Sequence, residues 1–386
     1  MSEAIARFEI RVPDEVLGDL RERLARTRWP DQIAGSGWDY GTDLGYLKEL
    51  CGYWREGFDW RAQEARLNRF EQFRTEIDGQ PLHFVHQRSR HAAALPLLLI
   101  HGWPGSVAEF TKLIDPLVDP EAHAGDVRDA FHVVCPSLPG YGFSGPTRTP
   151  GWDIRRMAEA LAKLMARLGH GRYGAQGGDW GAVAATQLGL LDAEHLAGIH
   201  LNMVIAGPPE GDPDPLRGTT PEERERLAAM DRFEAEETGY QRIQGTRPQT
   251  LGYGLNDSPA GLAAWIVEKF RAWSDCGGDV ESRFTKDELL TNITLYWVTQ
   301  TINSSTRLYC ETMRSGRWGL TGHRVRVPTG CAIFPKDTLH APRRWAEAHY
   351  DVRRWSVMPS GGHFAALEEP RALVAEIRAF FRELRP

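Results

Sequence analysis

The chain has 386 residues, 41% hydrophobic and 25% charged, with a formal net charge of -6. That composition belongs to a globular protein with a substantial core and excludes collagen, coiled coil and disorder. The acidic balance argues against a nucleic-acid binder, and the length suits a large α/β domain carrying an insertion and an extension.

The N-terminus, MSEAIARFEIRVPDE, has no apolar core of a signal peptide. The longest apolar run, Ala92 to Ile100, falls well short of the roughly 18 residues that a membrane span needs. A cytoplasmic protein without a membrane anchor is the expectation. Cys51, Cys135, Cys276, Cys310 and Cys331 are scattered and lack C-x-x-C spacing. Free thiols are therefore expected, with no disulfide framework and no zinc site.

Residues 1–80 read as a helical extension. Val16, Leu17, Leu20 and Leu24 share one face, and Leu44, Leu47, Cys51 and Trp54 form a second stripe. The pattern then changes to strands alternating with helices. Leu82–Gln87, Leu95–His101, Phe131–Pro136, Tyr173–Gly178 and Ala197–Val204 read as strands, and Asp153–Gly169 as a helix. This alternation implies βαβ units and a mainly parallel sheet over 81–205.

From Ala206 the alternation stops. Pro208, Pro209, Pro213 and Pro215 mark an exposed connection into a helical stretch over Pro221–Glu237. Ser258 and Pro259 supply a cap and first position for a helix through Trp273. Thr285 and Glu288 have capping-box spacing before one long helix reaching about Met313. Residues 206–324 are thus a helical insertion. The sheet resumes over 325–386, with strands at Val327–Pro335 and Arg354–Pro359 and a final helix carrying Leu373, Val374, Ile377, Phe380 and Phe381.

The chemistry concentrates in three segments. Gly177-Gly178-Asp179-Trp180-Gly181 lies between a strand and an Ala-rich helix, the setting of a nucleophile elbow, where small neighbours let the backbones meet. Its central residue is Asp179, where acyl-transfer enzymes place Ser. A carboxylate suits displacement at an alkyl carbon, with an epoxide C–O or a carbon–halogen bond as the electrophile. The second segment, His101-Gly102-Trp103-Pro104-Gly105-Ser106, follows a buried strand; the backbone amides of Trp103 and Trp180 are assigned to an oxyanion hole. The third, Ser360-Gly361-Gly362-His363-Phe364, supplies the histidine base, and Asp337, after the preceding strand, its acid. The other acid position, after the strand ending near Val204, offers Asn202 and no carboxylate. Glu368 and Glu369 are expected to face solvent or cap the last helix.

From the N-terminal extension through HGWPGS and GGDWG to GGHFAALEEP, the chain resembles the microsomal-type epoxide hydrolases of the α/β-hydrolase superfamily. The resemblance implies an α/β-hydrolase fold whose insertion is a lid with two tyrosines that protonate the epoxide oxygen. These fall on Tyr240 and Tyr309, with Tyr253 the second choice for the first. Trp103, Trp180 and Phe364 are expected to line the substrate site. The implied reaction takes a small hydrophobic epoxide and water to a vicinal diol and needs no metal or organic cofactor. A haloalkane dehalogenase, which also uses an elbow Asp, is the rival reading. Family relatives that open aryl epoxides during antibiotic assembly suggest one biological setting, and the extension and lid are compatible with a homodimer.

Overall fold

The computed structural model describes residues 4–316 and 323–385. Among these, nine strands form one sheet: β1 Ala6–Phe8, β2 Gln72–Ile77, β3 Gln80–Gln87, β4 Leu95–Ile100, β5 Phe131–Pro136, β6 Tyr173–Gly177, β7 Leu196–Leu201, β8 Val325–Ile333 and β9 Tyr350–Val357. Their spatial order is β1-β2-β3-β5-β4-β6-β7-β8-β9. Strands β4 to β9 pair in parallel, and β1, β2 and β3 add an antiparallel edge. The central strands β6 and β7 are buried at every residue, and β4, buried at all but Pro96, is the one that reads as a continuous apolar run. The helix Asp179–Leu191 behind them is apolar all round and buries ten residues, as a helix enclosed by protein must.

The first 80 residues are not purely helical. Helices Asp14–Ala25, Leu44–Glu56 and Trp60–Asn68 are present, but β1 and β2 join the sheet. Strands β2 and β3 form a hairpin around Asp78 and Gly79, both at positive φ (53° and 77°), the two-residue turn that Asp-Gly favours. The hairpin straddles the expected boundary at 80, so this region is continuous with the sheet.

Between β7 and β8 lie helices Pro221–Glu236, Gly239–Thr246, Pro248–Asp257, Pro259–Ala272, Lys286–Thr299 and Ile302–Ser315. Both expected caps are present: Ser258 accepts from Gly261 N–H, and Thr285 with Glu288 closes a capping box. The single long helix expected from Thr285 is instead two. Gln300 adopts the left-handed conformation (φ 53°) and ends the first. The Thr301 hydroxyl accepts from Gly142 N–H, and Thr299 donates to the Leu295 carbonyl. These threonine bonds compete with helix continuation. The end of the expected insertion, residues 317–322, lies outside the described residues.

The extension grips these inserted helices. Trp54, 2% exposed, donates its indole N–H to Thr294 at 3.0 Å. Tyr53 donates to Asp287, and Thr42 to the Ala264 carbonyl. We expect Trp54→Ala to destabilise the protein by about 3–5 kcal/mol, from the cavity left by a large buried side chain. Trp54→Phe should cost less, about 1 kcal/mol from the hydrogen bond together with a smaller packing loss. Denaturant midpoints of the two variants check the ranking, and equal losses would contradict it.

Candidate active site

The site is built where parallel strands end. Strand β4 delivers the 101–106 loop, β6 delivers Asp179, β8 leads to Asp337 and β9 to His363, the usual ligand-binding side of such sheets. Asp179 has φ 49°, a conformation that non-glycine residues adopt at a cost of order 1–3 kcal/mol. Its surroundings leave no alternative. A Cβ on Gly177 would overlap the Gly181 backbone, and one on Gly181 would overlap the Ile100 carbonyl. The strand and helix therefore meet without side chains between them, and the turn throws Asp179 beyond the sheet edge.

Asp179 Oδ1 accepts a 2.7 Å hydrogen bond from Trp103 N–H. Its other oxygen, Oδ2, lies 3.4 Å from His363 Nε2. His363 Nδ1–H donates to Asp337 Oδ1 at 2.7 Å. Burial would lower the His363 pKa, but Asp337 and Asp179 outweigh it and raise it well above the ordinary value.

Each segment is pinned by satisfied polar groups. His101 Nδ1–H donates to the Gly102 carbonyl, and its Nε2 accepts from Leu138 N–H. Burial holds that imidazole neutral by lowering its pKa to about 4. From the inserted helices, Asn292 donates to the Pro104 carbonyl and Tyr296 to the Gly105 carbonyl, each at 2.7 Å. The His363 loop is held by its own N–H donating to the Trp273 carbonyl and by Gly361 N–H donating to Asp275.

Glu368 departs from expectation. It is buried, and its two oxygens accept from Asp275 N–H and Phe364 N–H. Burial raises its pKa to about 7. It ties the His363 loop to the inserted segment and does not face solvent. Glu369 accepts from Ser360 and Arg283, and it stands at the N-cap position without a side-chain cap bond. Sequence spacing cannot reveal the contacts with Asp275 and Arg283, which lie 93 and 86 residues away along the chain.

A cavity of about 680 Å³ opens above Asp179, with Trp180, Tyr240 and Tyr309 on its wall. Tyr240 and Tyr309 come from different helices, and their ring centroids are 6.0 Å apart. The Tyr309 hydroxyl is buried without a hydrogen-bond partner of good geometry among the described residues. Burial, with Asp179 nearby, raises both phenol pKa values, so both stay protonated and can donate. The ammonium of buried Lys269 sits 4.8 Å from the Tyr240 ring centroid, favourable to negative charge on that ring. Tyr253 is 72% exposed and does not line this cavity.

Trp103 supplies its amide to Asp179, while its indole stacks on Tyr240 with centroids 5.3 Å apart. Trp180 meets Tyr309 edge-on at 4.8 Å. Phe364 is 2% exposed and stacked on Phe270 at 4.0 Å. It is part of the packing behind His363 and is not on the wall of the large cavity.

Residues 5–110 match the family described as "Epoxide hydrolase N terminus", and residues 96–250 match "alpha/beta hydrolase fold". The chain is 40% identical over 405 residues to Sus scrofa "Epoxide hydrolase 1", covering 98% of this chain and 88% of that one. Among solved structures, Aspergillus niger epoxide hydrolase superposes with TM-score 0.88 at 33% identity, over 99% of this chain and 97% of that one. Juvenile hormone epoxide hydrolase from Bombyx mori superposes with TM-score 0.91 at 33% identity, over 100% and 95%. The dehalogenase reading is not favoured by these relatives. Among the described residues, no helix is long and apolar enough to cross a membrane. Similarity sustained along nearly the whole length, on the same fold, identifies the chain as an epoxide hydrolase of the α/β-hydrolase superfamily.

Proposed function

We propose that the enzyme opens a bulky hydrophobic epoxide through a covalent ester on Asp179 and releases a vicinal diol. The observation that carries this reading is the Asp179 carboxylate held at positive φ between Trp103 N–H and His363. Tyr240 and Tyr309 donate to the epoxide oxygen as the ring opens. Asp179 attacks the ring carbon from the opposite side, and its charge disappears into the ester. That loss removes one of the two carboxylates raising the His363 pKa. His363 then releases its proton more readily and can take one from water, with Asp337 holding the imidazole. The water attacks the ester carbonyl, whose oxygen is held by Trp103 N–H and, in this reading, by the amide of Trp180.

Met203, Met230, Phe233, Met313, Val183 and Leu339 on the cavity wall support an aryl or long alkyl substituent, since flexible thioethers adapt to varied apolar shapes. All five cysteines are free and buried, which fits a reducing, intracellular setting.

His363→Gln should still be alkylated but not regenerate. Intact mass after styrene oxide should rise by one substrate, and full turnover by an unmodified protein would remove His363 from the reaction. Tyr240→Phe and Tyr309→Phe should each slow single-turnover alkylation, within the roughly 10²–10⁴-fold range of general-acid contributions. Parent-like rates in both variants would reject these two roles. Asp179→Asn copies the charge loss of the ester. In an NMR titration its His363 should deprotonate at lower pH than in the parent, and an unchanged or higher midpoint would break the proposed coupling.

A further inference from the structure

Asp179 also borders a second, small cavity of about 20 Å³, which shares no other lining residue with the large one. One water needs roughly 10–15 Å³ and two to four polar partners. Asp179, His363, Gln176, Asn202 and Glu109 all line it. Gln176 donates to Asn202 at 2.8 Å, but its carbonyl Oε1 is buried with no partner among the described residues. The space thus has the size of one water and an unpartnered acceptor beside it.

Glu109 reaches this cavity because position 105 is glycine. A Cβ on Gly105 would coincide with Glu109 Oε1, so the carboxyl occupies the space a side chain would take. Ser106-x-x-Glu109 has capping-box spacing, and Ser106 N–H is one group acting on the carboxyl. A carboxyl group has more acceptor sites than one amide uses. Burial pushes its pKa up to about 8, Asp179 adds to that and His363 opposes it. Glu109 also borders a third space, a cleft of about 300 Å³ whose wall includes Arg66, Lys112, Glu288 and Thr291. It is therefore common to the small cavity and to a polar cleft that shares no lining residue with the large cavity.

We propose that Glu109 holds the hydrolytic water in the small cavity and admits it from this second, rear cleft, while the bound alkyl group fills the large cavity in front. The inference rests on the covalent reading above. The alkylated state demands such a route, because an apolar substituent in the large cavity separates the ester from solvent on that side. In the step itself, the water oxygen bonds to Asp179 Cγ and one proton passes to His363 Nε2. The second hydrogen stays on the water and is bonded to Glu109. The tetrahedral adduct then breaks its bond to the substrate oxygen, which takes the proton from His363. Asp179 is then a carboxylic acid, whose remaining hydrogen, the second one from water, passes to the freed His363 imidazole; Asp179 returns as a carboxylate carrying one oxygen from water, with no change in oxidation state.

The test is single-turnover kinetics with styrene oxide, following alkylation and ester hydrolysis separately by tryptophan fluorescence and intact mass. Glu109→Leu should slow hydrolysis by about 10²-fold, the order expected when a group that positions a reactant is lost. Alkylation should stay within about threefold, which also reports that the variant is folded. Glu109→Gln keeps a carbonyl acceptor and should lie between parent and Glu109→Leu. Ala108→Phe, which narrows the rear cleft without touching the catalytic groups, should slow hydrolysis alone. Unchanged hydrolysis in Glu109→Leu, or equal slowing of both steps, overturns the role of Glu109. Normal hydrolysis in Ala108→Phe overturns the rear route. If the parent itself forms no adduct, the covalent reading fails first and this inference falls with it.

Discussion

A half-buried carboxylate at a strained turn must be held in one place with its hydrogen bonds satisfied, and the rest of this structure follows from that requirement. Removing a carboxylate from water is costly unless hydrogen bonds and opposite charge replace the solvent. Asp179 receives one amide hydrogen bond from Trp103 and a neighbouring imidazole from His363. It also begins the helix Asp179–Leu191, where the macrodipole favours negative charge. Those three supports come from β4, β9 and β6, so the sheet has to hold their ends in register.

The helices between β7 and β8 contribute to this in addition to covering the site. Asn292 and Tyr296 bond the carbonyls of the 101–106 loop, and the Trp273 carbonyl receives the N–H of His363. The loops around Asp179 are thus held by helices Pro259–Ala272 and Lys286–Thr299, while Tyr240 and Tyr309 ride on two other helices of the same insertion. The extension in turn holds the first two helices through Trp54, Tyr53 and Thr42.

The electrostatics divide the site into two faces. In front, phenols kept protonated by burial meet a cavity whose wall is mainly apolar, with charged groups such as Asp231, Glu234 and Arg242 also on it. Behind, polar groups surround a space the size of one water. Epoxide opening needs proton donors and a dry approach, whereas ester hydrolysis needs water on the carbonyl. Separating the two sides of one carboxylate lets both conditions hold in a single site.

Most of the fold was legible in the sequence because buried parallel strands leave continuous apolar runs and amphipathic helices leave a period. Phe131–Pro136 and the capped starts at Ser258 and Thr285 carry their signals locally. The nucleophile and base were legible for a related reason: an elbow demands glycines at fixed offsets, and chain order puts the histidine after the last strand. What escaped was decided at a distance. The helix break at Gln300 depends on Thr301 meeting Gly142, and β1 and β2 depend on a neighbouring strand to pair with. Glu368 looked like a solvated charge until the fold brought Asp275 to it, and Phe364 looked like a substrate contact until Phe270 stacked on it. By itself the sequence determined the sheet, the order of the chemistry-bearing loops and the residue types on them, because these follow from local spacing and chain direction. Only the tertiary structure decided which tyrosine faces the nucleophile, which glutamates are buried and where water has room, because each depends on groups tens to hundreds of residues apart meeting in one place.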